Sequence, residues 1–156
     1  MKLKIGDKAP LFTLYSDTQQ AVSLAEYRGS NLVLLFFPLA FTGVCTEELC
    51  TVRDALDTYN KLDAAVVAIS VDSPFTLAKF KAAEGLTFPL LSDFNKEISR
   101  QYGALYETFV LGMEGVSKRS AFVIDGEGII RYAEVLESAG DQPDYSAIQE
   151  TLAQLG

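Results

Sequence analysis

The 156-residue chain is 49% apolar and 22% charged, the composition of a globular protein long enough to bury a sizeable core, and its length predicts one domain over residues 1–156. Its net charge of -8 argues against nucleic acid or an anionic membrane surface as a partner, because both call for a basic footprint. No apolar run approaches the roughly 20 residues that cross a bilayer, so no membrane span is expected.

In chain order, FTLYS (residues 12–16) and AVSL (21–24) are short extended segments, and NLVLLFFP (31–38) is a near-continuous apolar run of the kind that forms a buried central strand, stopped by Pro38. Leu49, Val52, Leu56 and Tyr59 recur at helical intervals and predict one helix over residues 44–62. AAVVAISVD (64–72) is a second buried strand. SPFTLAKFKAAEG (73–85) opens with Ser73 as N-cap and Pro74 at the first helical position, and closes at Gly85. FNKEISRQYG (94–103) is a short helix ended by glycine. SAFVIDGEGIIRYAEV (120–135) is a hairpin around an Asp-Gly-Glu-Gly turn, and DYSAIQETLAQL (144–155) is an amphipathic closing helix. The order strand–helix–strand–helix, then a hairpin and a last helix, implies an α/β fold with a mixed central sheet and helices on both faces. It resembles the thioredoxin-like fold, and fold alone does not give function.

The opening MKLKIGDKAP is interrupted by Asp7 and Lys8 and lacks the apolar core of a signal peptide, and two cysteines are too few for a secreted disulfide scaffold. A reducing cytoplasm is the expected compartment. The chain contains no histidine. That removes Ser-His-Asp and Cys-His nucleophilic sites and histidine-containing metal sites together, and no metal or cofactor is expected.

Both cysteines lie in FFPLAFTGVCTEELC (36–50). Residues 39–43 form a loop after Pro38, which places Cys45 in the first turn of the next helix. Unpaired N–H groups and the positive dipole end there favour a thiolate. Cys45 shares a stripe with Leu49, Val52 and Leu56 and is expected at the base of a small cleft. Cys50 points about 140° away, on the more polar side with Asp54 and Asp57. Taken singly, a cysteine is most often a small buried hydrophobe, Pro38 a strand stop, Thr42 a helix cap and Arg119 a solvated charge. Together, Pro-x-x-x-Thr-x-x-Cys sets a hydroxyl one loop turn from a thiol at a helix start.

PLAFTGVC resembles the active-site pattern of the peroxiredoxin family, and KRSAFVID resembles the later segment that carries that family's essential arginine. GDKAPLFTL, FPLLSD with QYG, and GIIRYAEV extend the resemblance over nearly the whole chain. FFPLAFTGVC and FPLLSDF are similar to the alkyl hydroperoxide reductase E group, whereas a cysteine five residues after the first is similar to the bacterioferritin-comigratory-protein (PrxQ-type) group. The resemblance implies an antioxidant thiol peroxidase in which Cys45 reacts with hydrogen peroxide or an organic hydroperoxide, Pro38, Thr42 and Arg119 complete the site, and Cys50 resolves the oxidised Cys45 as a disulfide. It further implies a thioredoxin- or glutaredoxin-like reductant and a monomer or homodimer.

The chemistry of the side chains agrees with these roles. Arg119 would supply a fixed positive charge beside the thiolate and polarise the peroxide, Thr42 would accept the peroxide proton, and the Val44 and Cys45 N–H groups would meet charge on the leaving oxygen. Pro38 would shield the thiolate, and attack would leave a Cys45 sulfenic acid. Glu48 reads either as a carboxylate favoured in the first helical turn or, by resemblance, as a group that orients an arginine, and it stands outside the expected site. Residues five apart in a helix have Cα atoms about 8.7 Å apart, beyond the roughly 7 Å a disulfide tolerates, so resolution by Cys50 requires the helix to unwind. The alternatives are a one-cysteine peroxidase reduced by an external thiol, a thioredoxin-like disulfide reductase, for which the Cys-x-x-x-x-Cys spacing is wrong, and a non-catalytic binding module.

Overall fold

A computed structural model describes residues 2–155. The first strands are β1 (Thr13–Ser16), β2 (Ala21–Ser23) and β3 (Asn31–Phe36). Helices α1 (Gly43–Asp54) and α2 (Leu56–Lys61) lead to β4 (Ala64–Ser70), α3 (Pro74–Glu84), β5 (Leu90–Ser92) and α4 (Glu97–Gln101). After these come β6 (Leu105–Thr108), β7 (Glu114–Ser117), β8 (Ser120–Ile124), β9 (Ile130–Val135) and α5 (Tyr145–Leu155). Seven strands form one mixed sheet in the order β2-β1-β5-β4-β3-β8-β9, and β6 and β7 make a separate ribbon. β3 is central: it runs parallel to β4 and antiparallel to β8.

The apolar run of β3 serves both faces of the sheet, because side chains alternate across a strand. Val33, Leu35 and Phe37 pack with Leu49 and Val52 of α1, Tyr59 of α2, Leu77 and Phe80 of α3, and Ile148 and Leu152 of α5. Leu32, Leu34 and Phe36 face the other way, onto Phe12, Leu24, Ile98 of α4 and Tyr102 just after it. Each such side chain, fully buried, contributes about 1.5–3 kcal/mol relative to exposure. This two-faced burial is the expected architecture. Among the described residues no helix is long and apolar enough to cross a membrane.

Local signals hold where the chain's own chemistry sets the boundary. The Ser73 side chain accepts the Thr76 N–H at 3.1 Å, Pro74 starts α3, and Gly85 ends it in the left-handed region at φ 64°. At the β8–β9 turn, Asp125 Oδ1 accepts the N–H groups of Glu127 and Ile129 while Oδ2 accepts from Arg131 at 2.6 Å. The single helix expected over residues 44–62 is instead two, broken at Ala55 (φ -103°, ψ 10°) with no glycine or proline to mark it. A straight 19-residue helix would run about 28 Å; the break turns Tyr59 back onto the sheet, where it is buried.

Candidate active site

Three segments meet at the sheet end where β3 and β4 finish. The β3–β8 register pairs Phe36 with Ser120. Arg119, one residue before β8, therefore arrives beside the loop leaving β3, although it lies 74 residues from Cys45. Pro38 is buried and ends the ladder: the Phe37 N–H still bonds the Ile69 carbonyl at 2.9 Å, and proline has no N–H to continue it. Asp72 then ties the loop down, its Oδ2 accepting the Ala40 N–H at 2.8 Å and the Ser70 hydroxyl at 2.6 Å. Phe41 takes a left-handed φ of 66° and stacks edge-on against Phe80, with ring centroids 5.1 Å apart. A non-glycine residue holds that conformation only when its surroundings enforce it. The turn delivers Thr42 as N-cap of α1 and Cys45 as its third helical residue.

Thr42 does not cap the helix with its side chain. Its hydroxyl donates to the Leu39 carbonyl at 2.7 Å, which commits the proton and leaves the Oγ1 lone pairs as acceptors. The first helical bond is from the Thr46 N–H to the Thr42 carbonyl at 2.9 Å. The N–H groups of Gly43, Val44 and Cys45 precede it, and an α-helix offers such groups no upstream carbonyl.

Cys45 and Arg119 are each 1% exposed. Arg119 Nη2 donates to Cys45 Sγ at 3.4 Å and to the Ala139 carbonyl at 2.9 Å, and Nη1 donates to Glu48 Oε1 at 2.6 Å. Glu48 is 0% exposed and lies beyond the first turn of α1, so its contact with Arg119 matches the arginine-orienting reading and not that of a carboxylate favoured by the first helical turn. It lies three residues after Cys45, on the same flank of α1, and that spacing was the signal available in the sequence. The pair is joined through one oxygen and one nitrogen only: Glu48 Oε2 and Arg119 Nε are buried without a hydrogen-bond partner. Burial pushes the Glu48 carboxyl up to about 7 against the opposing pull of Arg119. Burial works against the Arg119 charge, but Glu48 and Cys45 outweigh it and hold the guanidinium above its ordinary range.

The thiol opens into a pocket of about 390 Å³ lined by Pro38, Leu39, Thr42, Val44, Phe109, Val110 and Ala139, with Arg119 at its wall. Phe109 and Val110 come from the irregular link between β6 and β7, a region in which the sequence offered no periodicity. The mouth is apolar apart from Thr42 and the guanidinium, so a small polar molecule entering it meets few competing hydrogen-bond partners.

Cys45 and Cys50 are both free thiols. Cys50 faces away from Cys45, as its helical spacing predicts, but the polar side it meets belongs to another helix. Its Sγ lies 3.6 Å from Glu84 Oε1 at the end of α3, and Arg53 donates to the Glu84 carbonyl. The structure thus brings Pro38, Thr42, Cys45 and Arg119 around one pocket, adds Glu48 behind them, and leaves Cys50 outside.

Residues 5–133 match the AhpC/TSA family. The chain is 43% identical to alkyl hydroperoxide reductase E of Mycobacterium tuberculosis over 156 residues, covering 98% of each chain. It is 36% identical to peroxiredoxin Bcp of Escherichia coli over 132 residues, 83% of this chain and 84% of that one. Among solved structures, peroxidoxin BcpB of Mycobacterium tuberculosis superposes with a TM-score of 0.88 at 30% identity, covering 99% of both chains. A buried thiol at a helix start, the arginine that reaches it from the sheet and this sustained likeness agree: the chain belongs to the AhpC/TSA family and is a peroxiredoxin, a thiol-dependent peroxidase with a thioredoxin-like fold.

Proposed function

We propose that Cys45 is the peroxidatic nucleophile and that Pro38, Thr42 and Arg119 complete its site, acting on hydrogen peroxide and organic hydroperoxides. The observation that carries this reading is the 3.4 Å contact between Arg119 Nη2 and Cys45 Sγ at a pocket whose other polar side chain is Thr42. A fixed cation next to sulfur stabilises the thiolate, which is the nucleophilic form. The thiolate attacks one peroxide oxygen, the O–O bond breaks, and the leaving oxygen departs with a proton as water or an alcohol. Thr42 Oγ1, with its own proton given to Leu39, accepts a hydrogen bond from the incoming peroxide, and the free N–H groups at the start of α1 meet the charge that develops. Glu48 holds the guanidinium in place. Cys45 is left as a sulfenic acid.

Cys50 then resolves it, giving a Cys45–Cys50 disulfide that a thioredoxin- or glutaredoxin-like dithiol reduces in the cytoplasm, the enzyme working as a monomer or homodimer. Mass spectrometry of protein treated with one equivalent of hydrogen peroxide tests this: a loss of two hydrogens that maps to a Cys45–Cys50 link supports it. The second reading, a one-cysteine enzyme reduced directly by an external thiol, is favoured by the engagement of Cys50 with Glu84. A persistent Cys45 sulfenic acid beside a free Cys50 would establish that reading instead.

A further inference from the structure

Cys50 is held in a setting of its own, formed where α1 packs on the end of α3. Its Sγ lies 3.6 Å from Glu84 Oε1, and Arg53, one turn later on α1, donates to the Glu84 main-chain carbonyl and pairs with Asp54 at 2.9 Å. Glu84 therefore grips α1 twice, by its side chain at Cys50 and by its carbonyl at Arg53. The charged groups that bear on the thiol are Arg53 and Asp54 from α1 and Glu84 from α3. Burial pushes the Cys50 thiol up, Arg53 opposes this, and Glu84 and Asp54 add to it.

We infer that Glu84 is a positioning residue for the resolving step: it holds Cys50 as a thiol turned away from Cys45, and resolution begins when that contact breaks. The inference rests on the reading of Cys50 as the resolving cysteine. The step itself balances without another group. Cys50 gives up its proton, its sulfur attacks Cys45 Sγ, the S–S bond forms as the S–O bond of the sulfenic acid breaks, and the departing hydroxide takes the proton as water. The Cys45 sulfur is reduced and the Cys50 sulfur is oxidised. A carboxylate 3.6 Å from Sγ opposes this step in two ways. It disfavours the thiolate by like charge, and its contact with the thiol has to be given up when Cys50 turns toward Cys45. The same contact keeps Cys50 unreactive toward peroxide while Cys45 is reduced, so the two thiols of one helix react in sequence rather than together.

Two measurements on the full chain test this. In the Cys45→Ser protein, the pH profile of Cys50 alkylation by iodoacetamide is followed by mass spectrometry, with and without Glu84→Gln. The expected result is a profile displaced to lower pH and a rate at pH 7 at least about threefold higher, since a neutral amide no longer repels the thiolate. In protein with both cysteines, rapid-quench sampling after a stoichiometric peroxide pulse gives the rate of disulfide formation. It should rise at least about threefold in Glu84→Gln, and to a lesser degree in Glu84→Asp, which keeps the charge on a shorter arm. Should Glu84→Gln fail to fold, the Glu84→Asp protein decides by the same two readouts. An unchanged or slower disulfide rate together with normal disulfide formation in the parent would overturn the role of Glu84 and leave Cys50 as the resolving thiol. Absence of any disulfide in the parent protein would overturn both.

Discussion

Two thiols five residues apart on α1 occupy opposite chemical settings. Cys45 is 1% exposed, lies against a guanidinium, and opens onto a pocket that admits a small molecule. Cys50 is half-buried against a carboxylate on the neighbouring helix and lines no part of that pocket. The residue type is the same and so is the helix. What differs is the sign of the nearest charge and the element that supplies it. Strand register brings a guanidinium against one sulfur, and helix packing brings a carboxylate against the other.

The contrast breaks most completely at Cys45. Cys45→Ser is expected to abolish hydrogen peroxide consumption, at least about 10⁴-fold, because a serine hydroxyl is not ionised near neutral pH. Retained turnover would move the chemistry to Cys50. Arg119→Ala removes the cation from the contrast and is expected to slow peroxide reduction by about 10²- to 10³-fold, the usual effect of losing a group aimed at developing charge; the rate of Cys45 alkylation at neutral pH should fall with it. Thr42→Val keeps the shape but removes the acceptor oxygen, and about a tenfold to 10²-fold loss in the second-order rate with peroxide is expected, with the alkylation rate nearly unchanged. That split separates substrate handling from thiol activation.

The smallest expected effect sharpens the electrostatics. Glu48 has its carboxyl raised in the folded chain to about 7 from 4.5, so the folded state binds its proton more tightly than the unfolded state. The stability this provides is fully present below about pH 4.5 and is lost as pH rises through about 7. Urea denaturation at pH 5 and pH 8 should therefore show the parent losing on the order of 2 kcal/mol more than Glu48→Gln over that interval. Equal pH dependence of the two proteins would mean that Arg119 fully offsets the burial of Glu48 in the folded chain, leaving its carboxyl where it lies in the unfolded one.

The parts of this arrangement that were legible in the sequence are those whose causes lie close together in the chain. Ser73, Pro74 and Gly85 bound α3 as their chemistry requires, and the apolar run before Pro38 forms the central strand. The Pro-x-x-x-Thr-x-x-Cys spacing identified the thiol and its loop, and Arg119 emerged only through likeness to a family, since nothing local to SKRSAFVID marks it as buried. The break at Ala55 was not legible because it answers to the packing of Tyr59 on the sheet, with no turn residue involved. Glu48 kept two readings because a carboxylate near a helix start is ordinarily solvated, and only likeness to a family paired it with an arginine. Its burial follows from a guanidinium 71 residues away. Glu84 was invisible for the same reason: 34 residues separate it from Cys50, and only the docking of α3 on α1 brings the two together.

The hold of Asp72 on the Ala40 amide carries a consequence for how this molecule breathes. Amide protons in loops commonly exchange with solvent through local fluctuations, but this one is bonded to a side chain anchored just past the end of β4, a buried strand in the middle of the sheet. Deuterium labelling is expected to find the Ala40 amide nearly as protected as those of β3 and β4, and far more protected than amides in the first turns of α1 once the protein is oxidised. With that result, the loop between β3 and α1 would belong to the last unit of the fold to open and the start of α1 to one of the first, so that the pocket would be dismantled from one side while its floor stays in place.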